Sequence, residues 1–301
     1  MFYTLKADFT LSKLTRKFKP DIIISFGSPY AGHAAFLNNK PHIALDDTDT
    51  DLITYKAYSP FALYIITPDS FLLRKPKKQI RFPGNFELAY LHPNRFTPNP
   101  KIIDKLGLQP EESYCIVRFV GHSVVHDIFE NGLSSTMKQQ IVKELSKYVR
   151  VFVSSEIPLD PFLEKFRFPL PVYEMHNAMA FASLVFGESA TMASEASVLG
   201  IPSVFLDSNG RCYTDVEEEK YGLVFRFDCN KEGLQKGLDK GVELLTTVGI
   251  KVQWQTKRKC LLDDSIDVTA FLVWFIENYP ESVQIMKVNP DYQNRFKDVL
   301  I

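Results

Sequence analysis

The 301-residue chain is short of cysteine, of charge excess and of long apolar runs, and each shortage removes a class of explanation. Its four cysteines, Cys115, Cys212, Cys229 and Cys260, stand far apart and form neither a C-x-x-C pair nor a Cys/His cluster. That spacing argues against a disulfide framework and against a zinc site. Four free, mostly buried thiols in a reducing cytoplasm is the simple account. The 35 basic residues are balanced by 36 acidic ones, so no global field gathers nucleic acid or an anionic membrane. No stretch approaches the roughly eighteen apolar residues that a membrane span needs, and charge recurs throughout the first twenty residues. A soluble, cytoplasmic protein is expected, with no nucleic-acid partner and no integral membrane segment.

What is present is an ordinary globular mixture, 45% hydrophobic and 24% charged, in a chain long enough for two domains with separate cores. A helical pattern from Leu5 to Phe18 stops at Lys19-Pro20, and Asp21-Ile-Ile-Ile-Ser-Phe26 reads as a buried parallel strand. Tyr30 to Leu37 reads as a short helix, followed by strands at His42 to Leu45 and Tyr64 to Thr67. Residues 76 to 100 carry Pro76, Pro83, Pro93, Pro98 and Pro100 and read as a linker or crossing segment.

A second series of strands then begins at Tyr114 to Val120. It continues through Val149 to Ser154, Val172-Tyr173, Leu184 to Phe186, Ser203 to Leu206 and Gly222 to Phe227. Alternation of this kind predicts an α/β fold with parallel sheets and a complete doubly wound second domain. The stretch from Trp254 to Glu277 reads as helical and amphipathic, with Trp274 and Phe275 near its end, and could dock back across the domain junction. The expected organisation is an N-terminal α/β domain over 1–100, a C-terminal α/β domain over 101–278, and a tail over 279–301 packing back toward the N-terminal domain. A nucleotide-type domain usually opens on a strand and a glycine-rich turn, whereas this chain opens on a helix. The N-terminal domain is therefore expected to lack its first strand or strands, either because it is reduced or because the sequence begins inside a longer ancestral domain; the second is favoured.

The richest stretch is 184 to 206. An apolar strand runs into Ser189 and Thr191, then a helix that Gly200 stops, then Pro202 and another apolar strand. Such a helix start offers unpaired N–H groups and the positive end of a dipole, which suits a phosphate or diphosphate. Glu195 lies four residues after Thr191, on nearly the same face, where a carboxylate could accept hydrogen bonds from sugar or ribose hydroxyls. A capped helix with one solvated Glu is the plainer reading of the spacing alone.

Other candidates sit where strands end. Arg118 closes the first strand of the second series and is placed to pair with a phosphate. In the loop after it, His122, His126 and Asp127 offer a proton-exchanging group, His126 foremost. In the first domain, Asp46 or Asp47 fits a catalytic or hydroxyl-binding role, and His33 is a further candidate base. The run Asp46, Asp47, Asp49, Asp51 lacks the glycine and terminal Glu of a calcium loop, so no metal site is assigned. Glu217-Glu-Glu-Lys220 reads as a solvated helix face.

The segment Gly187-Glu-Ser-Ala-Thr-Met-Ala-Ser-Glu-Ala-Ser-Val-Leu-Gly-Ile-Pro202 resembles the donor-site segment of GT-B glycosyltransferases and of the related non-hydrolysing UDP-GlcNAc 2-epimerases. The wider chain is similar to a bacterial and archaeal family of unknown function, DUF354. The stretches that carry this likeness are Phe18 to Tyr30, Ile43 to Thr48, Glu87 to Asn94, His126-Asp127 with Gly132-Leu133, and Glu219 to Phe225.

The resemblance implies two Rossmann-type domains facing a cleft, the N-terminal one incomplete. It implies that Ser189, Ala190 and Thr191 meet a diphosphate, and that Glu195 meets ribose or hexose hydroxyls. The loop from Pro169 to Tyr173, which includes Val172, would hold the base through backbone groups. Apart from the resemblance, the position of Arg211 in the Ser208-Asn-Gly-Arg loop after a strand end suits it to reach the donor phosphate. The implied activity is transfer of a sugar from a nucleotide diphosphate donor, a UDP-sugar favoured, to a surface polysaccharide or glycolipid acceptor. Epimerisation of a UDP-sugar and nucleotide-sugar binding without catalysis are the alternatives. The nucleotide sugar is then a substrate, and no cofactor is called for.

Overall fold

The computed structural model describes residues 2–121 and 132–297. The chain divides into two compact units, one of Met1–Phe86, Arg211–Tyr213 and Ser265–Ile301, the other of Glu87–Gly210 and Thr214–Asp264.

Among its described residues the first unit holds a four-stranded parallel sheet in the order β1-β2-β3-β4, with β1 at Ile23–Phe26, β2 at His42–Leu45, β3 at Tyr64–Pro68 and β4 at Gln79–Phe82. Ile43, Ala44, Ile65 and Ile66 on the two central strands are buried, as expected where helices cover both faces of a parallel sheet. The helix Pro29–Leu37 starts on Ser28, whose hydroxyl accepts the Ala31 N–H.

The proline-rich stretch expected to be a linker or an irregular crossing segment passes from the first unit to the second after Phe86, and also contributes a strand. Ile80 and Phe82 alternate into the core, and Gln79–Phe82 pairs with Ile65–Pro68 as an edge strand, the position where a neighbouring proline is tolerated. Residues 87–100 fall in the second unit rather than the first.

The second unit has a five-stranded parallel sheet in the order β6-β5-β7-β8-β9. Its strands are β5 at Tyr114–Phe119, β6 at Arg150–Ser155, β7 at Leu184–Gly187, β8 at Ser203–Leu206 and β9 at Val224–Phe227. The interior strand β5 is flanked by β6 and β7, so a residue at its carboxyl end borders two strand termini at once. Val172-Tyr173, expected to be a strand, is a 3-10 turn (Val172–Glu174) entering the helix Met175–Phe181; Pro171 before it supplies no N–H for a ladder.

The helical stretch expected over Trp254 to Glu277 is made of two helices, Ile250–Asp264 and Val268–Glu277. Between them the Ile266 N–H donates to the Pro83 carbonyl (3.3 Å) and the Asp267 N–H to the Phe296 carbonyl (2.8 Å), so neither is available for a continuous helix. The Asp267 carboxylate caps the second helix through the Ala270 N–H at 2.9 Å. From Ser265 onward the chain belongs to the first unit, where Phe271 packs near Phe82 and Trp274 stacks on Tyr292 with ring centroids 4.8 Å apart.

Candidate functional sites in the two units

In the second unit, the strand-to-helix junction depends on Gly187. Its φ is +148°, and a Cβ there would lie 2.1 Å from the Arg118 carbonyl oxygen, so only glycine lets the end of β7 sit this close to β5. The Glu188 N–H then donates to that carbonyl at 3.0 Å, and Ser189 caps the helix Ala190–Leu199 by accepting the Met192 N–H at 3.2 Å. Ser189 and Ala190 are half-buried and Thr191 is exposed. The N–H groups of Ala190 and Thr191, in the first turn, have no acceptor within the helix. At the other end Gly200 takes the left-handed conformation (φ 73°) that closes the helix.

Glu195 is not the solvated carboxylate of the plainer reading. It is 7% exposed, and its Oε1 accepts both the Tyr90 hydroxyl and the His176 Nε2, each at 2.9 Å. Oε2 has no hydrogen-bond partner among the described residues and remains an open acceptor. His176 stands four residues after Val172 on the adjoining helix, so the same imidazole ties the exposed Val172–Glu174 turn to Glu195. The spacing that singled out Glu195 contained no sign of these partners, because Tyr90 lies 105 residues away and becomes a neighbour only when the sheet forms.

Arg118 faces Ser154, its register partner on β6. It donates to the Ser154 Oγ at 2.8 Å and pairs with Glu156, so its charge is matched within the protein. The carboxylate of Glu188 accepts the Leu133 N–H (2.8 Å) and the Val120 N–H (3.3 Å) and lies 3.6 Å from the Lys138 ammonium. His122, His126 and Asp127 lie outside the described residues. Glu217 was expected on a solvated face but is buried and accepts the Ser194 hydroxyl at 2.6 Å; the helix Cys212–Glu219 turns that position inward while Glu219 and Lys220 remain exposed.

In the first unit the four acids after β2 separate by role. Asp51 caps the helix Leu52–Tyr58 through the Thr54 N–H at 3.0 Å. Asp49 accepts the Leu72 N–H at 3.3 Å. Asp46 is buried with both oxygens engaged, Oδ1 by the Thr48 N–H at 3.0 Å and Oδ2 by the Tyr58 hydroxyl. Burial pushes the Asp46 carboxyl above its ordinary value, while the bonds from Tyr58 and Thr48 oppose the shift. The Tyr58 phenol is pushed upward by burial and by the Asp46 charge beside it, so it stays a donor.

Asp47 is half-buried and accepts the Thr48 hydroxyl on Oδ1 at 3.0 Å. Burial, and then the Asp46 charge, push its pKa up to about 6, against the lowering effects of the Thr48 hydroxyl and the Arg211 charge. A carboxylate near that value is ionised at neutral pH and still basic enough to take a proton.

Two further expected residues have their partners in the first unit. Arg211 belongs to the first unit, beside Asp47, with its neighbour Cys212 donating its thiol to the Asp47 carbonyl at 3.3 Å. His33 pairs with Asp8 at 2.9 Å and sets its ring edge-on to Phe61, so it fastens the helix Phe2–Phe18 to the helix Pro29–Leu37. Among the described residues no group of three or more His, Cys, Asp or Glu is arranged to hold a metal ion, and no helix is long and apolar enough to cross a membrane.

Comparison with solved structures places this architecture. The UDP-GlcNAc 2-epimerase from Neisseria meningitidis bound to UDP-GlcNAc is 14% identical, with 83% of this chain and 75% of that one covered at a TM-score of 0.63. The S. aureus MnaA–UDP co-structure is 16% identical, with 83% and 72% covered at 0.61. MurG from Acinetobacter baumannii is 13% identical, with 86% and 75% covered at 0.52. At such identities the likeness establishes a GT-B type of fold. A comparison with curated protein sequences gives no match. The model of the family described as "Protein of unknown function (DUF354)" matches residues 1–274, and the chain therefore belongs to the DUF354 family.

Proposed function

We propose that this chain binds a nucleotide diphosphate sugar on its second unit, a UDP-sugar in the first instance, and transfers the sugar to a polysaccharide or glycolipid acceptor. The observation that carries the reading is Glu195: a buried carboxylate with one oxygen saturated and the other open, on a helix whose N-terminus follows directly from a strand end. The helix start suits the diphosphate, Glu195 Oε2 the hydroxyls, and the Val172–Glu174 turn the base.

In the first unit Asp47 is the base we assign. It has the basicity to take the proton of an acceptor hydroxyl; transfer forms the acceptor oxygen–C1 bond and breaks the C1–oxygen bond to the diphosphate, which leaves with the electron pair. Asp46 has no free oxygen for that step. The reading needs no cofactor and no nucleic acid, and sets the protein in the cytoplasm. A second reading, epimerisation of a UDP-sugar without an acceptor, is favoured by the fold neighbours that are UDP-GlcNAc 2-epimerases.

A thermal-shift panel of nucleotides and UDP-sugars tests the binding half, since a ligand held only by the folded state raises Tm. No shift with any uridine diphosphate would overturn it. Product analysis with labelled UDP-GlcNAc, with and without a glycolipid acceptor, then separates transfer from epimerisation. Asp47→Asn is expected to abolish turnover and spare nucleotide binding.

A further inference from the structure

We propose that Tyr90 and His176 are positioning residues that make this chain selective for a ribonucleotide over its 2′-deoxy counterpart; the inference rests on the nucleotide-sugar reading above.

An ionised carboxylate only accepts hydrogen bonds, so the His176 Nε2 carries its proton toward Glu195, as the Tyr90 hydroxyl does. Both donors converge on Oε1, and neither competes for Oε2. The donors are themselves held: the Tyr90 and His176 rings lie 5.4 Å apart at 32°, and Phe96 meets the imidazole edge-on at 6.2 Å. Glu195 therefore presents one oxygen in one orientation, with two lone pairs and no donor of its own.

The group that fits is a pair of adjacent hydroxyls. Both the ribose and the hexose of a nucleotide sugar carry hydroxyls, and the placement of Glu195 favours the ribose. His176 joins it to the helix that opens at the Val172–Glu174 turn, and its own helix opens at Ser189. A carboxylate linked to both the base-holding turn and the diphosphate-holding helix matches the order base, ribose, diphosphate in a nucleotide. Removing the 2′-hydroxyl leaves a pre-aimed lone pair without its donor, which is costly because the two bonds at Oε1 hold the carboxylate in place. Without Tyr90 or His176 the carboxylate gains rotational freedom, and the penalty for the missing hydroxyl falls.

The test is calorimetric titration of UDP and 2′-deoxy-UDP into the wild type, Tyr90→Phe, His176→Ala and His176→Gln, with thermal melting to confirm that each variant is folded. Wild type is expected to prefer UDP by about tenfold or more. Tyr90→Phe and His176→Ala are expected to bind UDP less tightly and to prefer it by less than about threefold, while His176→Gln, which keeps a donor near the Nε2 position, restores most of the preference. Should His176→Ala fail to fold, Tyr90→Phe carries the test, because it removes one hydroxyl and keeps the ring. UDP bound without preference by the wild type, or a preference unchanged in the variants, overturns this inference alone. A wild type that binds no UDP overturns the nucleotide-sugar reading and this inference with it.

Discussion

The Tyr58 hydroxyl donates to the carboxylate of Asp46, twelve residues earlier in the chain, and both side chains are buried. The Leu52–Tyr58 helix, capped by Asp51, turns the tyrosine back onto the end of β2 and so withdraws Asp46 from any ligand. Tyr58→Phe keeps the ring and removes the donor, leaving a buried carboxyl oxygen unsatisfied. A loss of about 1–3 kcal/mol in urea unfolding at pH 7 is expected. An unchanged midpoint would show that the bond contributes nothing.

Asp47 gives a pH signature of known sign. Its folded pKa, about 6, lies above the 3.8 of an ordinary aspartate, so between those values the folded state binds more protons than the unfolded one. Its contribution to stability is therefore fully present at pH below about 4 and is lost as pH rises through about 6. Asp47→Asn should be more stable than wild type by about 1–2 kcal/mol at pH 7.5 and close to it near pH 3.5, read from urea midpoints across the range. A difference independent of pH would contradict the assignment.

Gly187 is a steric requirement for the strand-to-helix junction. Gly187→Ala brings a Cβ against the Arg118 backbone in a conformation that alanine rarely adopts, and a destabilisation above about 3 kcal/mol is expected. Gly107→Ala also has a positive φ (+66°) but meets nothing within 4 Å, and should cost only about 1 kcal/mol. Equal effects in denaturant unfolding would mean that close approach to β5 is not the reason for glycine at 187.

Ser194→Ala removes a donor from buried Glu217 and is expected to cost about 1–3 kcal/mol. Glu219→Ala, two residues on and exposed, should fall within about 0.5 kcal/mol of wild type by the same measurement. Reversal of that order would place Glu217 back on the solvated face.

The features legible in the sequence are those set by neighbours along the chain. Apolar runs marked the strands, Ser189 and Gly200 marked the ends of one helix, and the helix spacing placed Glu195 just beyond Thr191. Contacts made across the fold were not legible. Tyr90 and His176 reach Glu195 from 105 and 19 residues away, and nothing in their local sequence marks them as its partners. The inward turn of Glu217, the pairing of His33 with Asp8 and the placement of Arg211 beside Asp47 depend in the same way on tertiary packing. Gln79–Phe82 was obscured by the prolines around it, since a four-residue edge strand leaves little periodic signal.

Calorimetric titration of UDP-GlcNAc into the wild type and Glu195→Gln tests the central claim most directly. The account predicts saturable one-site binding to the wild type and a loss of affinity of about tenfold or more in the variant, whose amide replaces a charged acceptor. Equal affinities in the two proteins, or no binding to the wild type, would contradict it.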